Sequence, residues 1–583
     1  MASSLGSENR TGQSYAVSAM RKGPIPGVVW PTAMSAVDVT AVLGRVGLPA
    51  PLHELAARDW DAIVVGGGHN GLAAAAYLAR AGRSVLVLER REQLGGACTL
   101  EQPFADERYL VSPCAYVVGL LDQLVIDELD LGRHGYRVTP ADPNLWCPLA
   151  GGGSFAEFLE SGHTTAYLRE QGFPDGEIEG LLAYEQVFER CRRALRLGPA
   201  GDTWRAPSPS REELELILDD EELVSVTFEE SIAETLDRYV GDERIKHALF
   251  AQGLIGTLAG PRDPGTASIK LMHHQGDLLG LGSVWGYVEG GMGRVAFAIA
   301  EAALEAGAEI AAGVPVARIL PGEGVEVESG DLIRAPVVVC NADPKRMLAM
   351  LDGSDAVPAG YRERLGRWDT ESPVVKLNVA LERMPTFPAA VGTGVEPQRA
   401  MVTVTPGLDA AQEAVEACRR GEFAFGFAEL YFQSAYDASV VPPGREVMSV
   451  FAQFAPYEPA AGDWDSRRAE IGDAVIDGIA VHAPDLHDCI EEVQVLGPPD
   501  IERRIGLTGG HIFQGQALPE QMWDRRLEAA TPVEGLYLCG AATHPGGSVI
   551  GLNGRIAAMA ALDRIEVGNQ SSRGSMPVIR ARV

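Results

Sequence analysis

The sequence is poor in cations. Against 80 acidic side chains it sets 49 lysines and arginines, a net charge of −31, and only five of those cations are lysines (22, 246, 270, 345 and 376). Such a balance repels a phosphate backbone before any groove is read, which excludes nucleic acid as a partner. Long apolar runs are lacking as well. Each candidate is interrupted by Arg or Glu before the roughly 18 residues that a membrane span needs, so only peripheral membrane contact stays open. Cysteine is scarce and scattered: eight occur in 583 residues (98, 114, 147, 191, 340, 418, 489 and 539), and the two nearest, Cys98 and Cys114, lie 16 positions apart. With no C-x-x-C there is neither a redox dithiol nor a zinc knuckle, and the usage suits a reducing compartment. H-E-x-x-H and the Ser-His-Asp and Cys-His orders of hydrolases are absent. The chain start has no apolar h-region and reads as no secretory signal.

What remains is a large, acidic, globular chain, 46% hydrophobic, long enough for several domains and a substantial core. Residues 1–59 read as a disordered or loosely docked N-terminal extension, whose few Arg and Ser residues would also suit a weak organelle address. Within it, Met34-Ser35 and the segment that follows predict a short capped helix closing at Gly47. A cytoplasmic location is expected, with a mitochondrial matrix or a membrane-peripheral site as alternatives.

The strongest local pattern follows. Asp61 to Val65 is a β-branched run suited to a buried parallel strand, and it leads into Gly66-Gly67-Gly68-His69-Asn70-Gly71. Leu72 to Ala81 is small and helix-forming, Gly82 stops it, and Ser84 to Glu89 reads as a second strand. In G-x-G-x-x-G, Gly66 permits the tight turn, Gly68 admits a pyrophosphate to the backbone, and Gly71 lets helix and strand close. Glu89 then stands where an adenosine ribose would be recognised, and the helix N-terminus faces the phosphates. Glu89-Arg90 continues through Leu94 to Gly95-Gly96-Ala97, which looks like the E-R-x-x-x-x-G-G extension of FAD-binding proteins of the glutathione-reductase type.

With these residues read, the sequence resembles the phytoene desaturase-like branch of the FAD-dependent amine oxidase and desaturase superfamily. Within it the likeness is to the subgroup named pyridine nucleotide-disulphide oxidoreductase domain-containing protein 2. Distant segments agree: Pro264 to Ala267, His273-His274, Trp285 and Gly290 to Gly293; Val337 to Pro344; and Gly509 to Gly515. The resemblance implies an α/β fold, with a Rossmann-type FAD-binding domain of the glutathione-reductase type and a discontinuous α+β substrate domain. The FAD pieces are expected at 60–150, 286–345 and 500–565, the substrate domain at 151–285 and 346–499, and a tail at 566–583.

It also implies FAD as cofactor. Gly66, Gly68, His69, Asn70, Gly71, Glu89, Arg90, Gly95, Gly96 and Ala97 would form the adenosine and diphosphate side. A residue matching Val316 would meet the adenine through its backbone. Gly540, Ala541, Gly551 and Asn553 would meet the flavin, with the last helix pointing its N-terminus at the pyrimidine end. His544 and Arg555 are the polar residues of that segment that invite a catalytic role, His544 being the candidate for proton transfer. Adjacent His273 and His274 have no third ligand at suitable spacing, so no metal is expected. A single G-x-G-x-x-G with flanking strands also argues against a bound nicotinamide as electron acceptor.

The expected chemistry is hydride transfer to flavin N5 from a C–C or C–N bond of an apolar or extended small molecule. Reduced-flavin double-bond isomerisation, amine oxidation and a non-catalytic regulatory flavoprotein are the alternatives. The sequence leaves oligomeric state open.

Overall fold

The computed structural model describes residues 37–572, with side chains described to Ile565. Its first elements follow the sequence pattern: β1 (Ala62–Val65), α1 (His69–Arg80) and β2 (Val85–Glu89). Every residue of both strands is buried, because a parallel sheet covered on both faces has no solvent side for polar residues to occupy. Two strands of another sheet come next, β3 (Leu145–Pro148) and β4 (Ser154–Glu157), and then a helical stretch containing α2 (Asp175–Leu197) and α3 (Ala267–His273). The chain returns through α4 (Gly293–Glu305), β5 (Glu309–Ala312), β6 (Val316–Leu320) and β7 (Val337–Cys340). Strands β8 (Val375–Leu381), β9 (Met401–Val404), β10 (Phe427–Tyr431), β11 (Glu446–Gln453) and β12 (Ile490–Leu496) follow, before β13 (Leu536–Leu538) and α5 (Leu552–Ser572).

Two sheets organise these pieces. The first is parallel throughout, in the order β13–β7–β1–β2–β5. Only a fold that brings residue 62 beside residue 337, and 338 beside 536, can build it. The second has seven strands, β12–β8–β11–β10–β9–β3–β4, antiparallel except where β9 meets β3.

Helix α1 packs against both α4 and α5. Its buried run Ala73 to Ala76 carries only methyl groups and so permits the approach. At Gly554 a Cβ would be driven into the Asn70 carbonyl oxygen, so α5 crosses α1 backbone to backbone there. The first turns of both helices therefore meet, and the positive ends of two helix dipoles share one location.

The seven-stranded sheet carries an unusual face. Register sets Lys376, Phe451, Glu429 and Thr403 in one row across β8, β11, β10 and β9, and Asn378, Ser449 and Tyr431 in the next. Lys376, Asn378, Thr403 and Glu429 are all buried, so polar side chains line this face where a core would normally be apolar.

The chain start differs from expectation. Residues 34–36 lie outside the described residues, and 39–44 form turns instead of a helix, since Leu43 and Gly44 both take left-handed conformations (φ 49° and 78°). The part from residue 37 onward is firmly docked. Val39 and Leu55 are fully buried, Gly44 accepts a hydrogen bond from Leu94, and Gly47 accepts one from Ala312. Residues 573–583 of the expected tail also lie outside the described residues. Among the described residues no helix is long and apolar enough to cross a membrane, and no group of His, Cys, Asp and Glu could hold a metal ion.

Candidate flavin and substrate site

The glycine turn is held open by neighbours that leave no room for side chains. A Cβ on Gly71 would be driven into the Gly66 carbonyl oxygen, and one on Gly68 would come within 2.7 Å of the Asn341 amide nitrogen. No side chain caps the N-terminus of α1, so its first amides are left for a ligand. The Gly95 amide donates to the Gly67 carbonyl (2.8 Å), which fixes the second glycine pair beside the first, and Gly95 bridges Gly68. Two buried atoms at the start of α1 have no partner, His69 Nε2 and Asn70 Oδ1.

Glu89 ends β2 with both oxygens oriented by the main chain: Oε2 accepts from the Gly67 amide (2.7 Å) and Oε1 from the Arg91 amide (2.8 Å). Each keeps lone pairs for a further donor, the requirement for reading a ribose diol. The Val314 amide donates to the Glu89 carbonyl (2.8 Å), which places β6 and its first residue, Val316, near the same point. This donor set, with the glycine space and the convergent helix ends, fits the adenosine diphosphate part of FAD. Replacing Glu89 by alanine is expected to weaken FAD binding about a hundredfold, with Glu89→Gln in between, measured by titrating apoprotein with FAD.

Arg90 is turned elsewhere. Its guanidinium donates to the Arg504 carbonyl (2.9 Å) at the end of the helix Pro498–Ile505, and nothing ties it to the glycine turn.

The closing segment is knotted by one side chain. Asn553, in the first turn of α5, donates from Nδ2 to the carbonyls of Thr543 (2.9 Å) and Gly546 (3.0 Å), leaving its Oδ1 without a partner. Gly540 is the second residue after β13, beside Asn341 at the end of β7, and the Ala541 carbonyl accepts from Arg526 (2.6 Å). Gly551 turns the chain into α5 (φ 77°). His544 is buried with Nε2 2.8 Å from the Thr203 carbonyl, and burial pushes its ring down to about 4. Arg555 pairs with Glu128 (2.7 and 3.1 Å). His544 is thus engaged in holding the loop, and Arg555 in tying α5 to Glu128.

Sequence reasoning did not find the polar face of the second sheet as a site. The Ala115 amide donates to the Ala97 carbonyl (3.2 Å), so the segment after the glycine pair delivers Tyr116 to that face. The Tyr116 ring lies 4.3 Å from Tyr431, and Lys376 Nζ sits 5.6 Å from its centre. The ammonium donates to Asn378 Oδ1 (2.6 Å), Ser449 Oγ (2.5 Å) and the Leu377 carbonyl (3.1 Å), none of them anionic, and burial pulls it down to about 7. Glu429 accepts from the Tyr431 hydroxyl (2.6 Å) while its Oε1 has no partner, and burial raises it to about 7. A signal was present: a lysine and a glutamate inside the otherwise apolar strands VVKLNVAL and FAELY.

Burial also sets the acid sensitivity of the fold. His69, His273, His274, His511 and His544 are all pushed down to about 4, so the unfolded chain binds protons below pH 6.5 that the native rings refuse. The stability they contribute is present above pH 6.5 and lost as pH falls toward 4. The raised carboxyls of Glu157, Glu301, Glu371, Glu429 and Glu528 act in the opposite sense, but eight histidines in all are lowered, His134, His247 and His482 with the five above. The melting temperature is expected to drop steadily from pH 6.5 to pH 4.5 in a thermal denaturation series.

Comparison with known proteins decides the family. The model described as NAD(P)-binding Rossmann-like domain matches residues 64–117, and that of the flavin containing amine oxidoreductases matches 160–414. The mouse pyridine nucleotide-disulfide oxidoreductase domain-containing protein 2 is 30% identical over 566 residues, covering 86% of this chain and 93% of its own. The chain belongs to that family of FAD-dependent oxidoreductases. A phytoene desaturase (lycopene-forming) of Pseudescherichia vulneris is 24% identical over 86% of this chain and 98% of its own. Putrescine oxidase, solved with putrescine bound, shares the fold at a TM-score of 0.57 and 16% identity, covering 87% of this chain and 99% of its own. The fold is thus the mixed α/β, Rossmann-like one of the flavin amine oxidases, as the sequence led us to expect at that level. The family name speaks of disulfides, yet all eight cysteines of this chain are unpaired.

Proposed function

We propose that this FAD-dependent oxidoreductase takes a hydride from a C–C or C–N bond of an apolar or extended small molecule. The carrying observation is the juxtaposition of a dinucleotide cradle with a buried, partly uncommitted polar face, joined through Ala97 and Ala115. Bound FAD supplies the hydride acceptor. In this reading the parallel sheet, with the pieces 60–150, 286–345 and 500–565, is an FAD-binding domain of the glutathione-reductase type. Residues 151–285 and 346–499 make the substrate domain. Gly66, Gly68, His69, Asn70, Gly71, Glu89, Gly95, Gly96 and Ala97 hold the adenosine diphosphate, and Val316 meets the adenine.

Gly540, Ala541, Gly551 and Asn553 shape the flavin end, while His544 keeps a structural part. Tyr116 and Tyr431 exclude water from the polar face and orient the substrate, and the uncommitted oxygen of Glu429 is placed to accept a proton or a donor group. That oxygen favours an amine as the second reading. The acidic charge and unpaired cysteines support a reducing, cytoplasm-like compartment.

The test begins with the visible spectrum of purified protein and the mass of its acid-released cofactor, followed by anaerobic reduction with polyene, lipid and amine panels. Flavin bands, released FAD and bleaching by a polyene or lipid are expected. Bleaching by amines alone would move the reaction to a C–N bond. Folded protein that neither holds nor takes up FAD would remove the reading altogether, and bound FAD that no reductant bleaches would leave a regulatory flavoprotein.

A further inference from the structure

A cavity of about 60 Å³ lies between the helical stretch and the edge of the seven-stranded sheet. Glu157, the last residue of β4, lines it; its carbonyl accepts from the Asn144 amide (2.7 Å), but its carboxyl makes neither a hydrogen bond nor an ion pair among the described residues. Around it, other groups are half committed. Asn144 uses its Oδ1 to accept from the Trp285 amide (2.8 Å), which leaves its NH₂ to donate. Gln252 uses its Oε1 to accept from Lys270 (2.6 Å), which leaves its NH₂ likewise. Three uncommitted hydrogen-bonding groups therefore share one small space whose other walls include Ile255, Met401 and the Trp285 ring.

The charge in the cavity is balanced without an occupant. Glu185 pairs with Lys270 (2.7 Å), and burial, followed by the Glu185 charge, raises the Glu157 carboxyl and favours its neutral form. An ammonium ligand would meet the Lys270 ammonium and find no excess anion. A hydroxyl, by contrast, can accept from the free amides and exchange a hydrogen bond with a neutral carboxyl. The wall toward the cofactor loop is the His273 ring, 5.6 Å from the Phe513 ring, which in turn packs on Gly547 just before α5. A substrate reaching across that wall would have its polar end here and its apolar body near the loop.

We propose that this cavity is the subsite for a hydroxyl group on an otherwise apolar substrate, with Glu157 as its hydrogen-bonding partner. The inference rests on the apolar-substrate reading above and narrows it to alcohols. The test uses holoprotein and three probes of one carbon skeleton: geraniol, the hydrocarbon myrcene and geranylamine, with Kd read from tryptophan fluorescence. Geraniol is expected to bind about tenfold more tightly than either of the others. Glu157→Ala should remove that preference, and Glu157→Gln, an uncharged isostere of the protonated acid, should keep most of it.

Equal binding of geraniol and myrcene, or no binding of either, overturns the proposal. So does tighter binding of geranylamine, or a preference that survives in Glu157→Ala. If the alanine variant does not fold, the wild-type probe comparison and the glutamine variant decide. Flavin content measured on the same samples separates this outcome from a failure of the cofactor assignment.

Discussion

Gly71→Ala is expected to lower the FAD content of purified protein roughly tenfold or more, with a clear fall in melting temperature. The added methyl group has nowhere to go: it would be driven into the Gly66 carbonyl oxygen, while Asn341 closes the other side. Relief requires α1 to slide away from the turn, and overpacking of this kind costs about 1–3 kcal/mol. The same slide would displace the amides that, on the proposed reading, face the diphosphate, so affinity should suffer more than stability. Gly82→Ala is the control. It lies at the far end of α1 in a left-handed conformation (φ 76°) with open space around it, and should cost about 1 kcal/mol while leaving FAD bound. Equal loss of cofactor in both variants would show that helix stability, not the turn, governs binding.

Arg526→Met is expected to destabilise the protein by about 4 kcal/mol in urea unfolding. Arg526 is buried, and its guanidinium donates to five carbonyls: Phe513 (2.5 Å), Ala541 (2.6 Å), Gln516 (3.0 Å), Gln521 (3.1 Å) and Gly515 (3.3 Å). No carboxylate balances it, and burial brings it down to about 9. A methionine fills similar volume but leaves those acceptors without donors. Arg526→Lys should recover only part of the loss, because one ammonium cannot span carbonyls that a planar fork reaches together. Since Ala541 belongs to the closing loop, the methionine variant is also expected to release flavin before it unfolds, seen as flavin fluorescence rising at a lower urea concentration than the loss of circular dichroism.

The amine oxidase-like fold sets where these effects are felt. On the proposed reading the cofactor contacts would be drawn from three separated stretches of chain, so a defect at residue 71 or at residue 526 would reach the same group. Glu429→Gln offers a probe of the polar face of the second sheet that keeps the Tyr431 contact.

Some of this was legible in the residues alone. The strand, glycine turn and alanine helix from 61 to 80 are local in pattern: Gly71 answers a clash with Gly66 five positions away, and the apolar run needs no partner to declare itself buried, although the neighbour that crowds Gly68, Asn341, comes from far along the chain. Glu89 was placed by the same arithmetic, and the structure adds the amides of Gly67 and Arg91 that orient it. The segment 37–47 shows the limit. Its apolar spacing suggested a helix, but Val39 is buried in turns whose partners, Leu94 and Phe297, stand far along the chain. Arg90 likewise belonged to a motif by position, yet the end of a helix some 400 residues later claims its side chain.

The sequence by itself pointed to a dinucleotide, through backbone clearance and one carboxylate within the 36 residues from Asp61 to Gly96, and to FAD through the family resemblance. Only the tertiary structure decided where chemistry beyond the cofactor can occur. Lys376 and Glu429 share one face, on either side of Phe451 in the row, because β8, β11 and β10 take one register, and the 97–116 segment brings Tyr116 over it. Alternation within a strand tells which residues share a face. Which strands lie side by side is settled by burying the whole sheet at once, a condition that no single stretch of sequence contains.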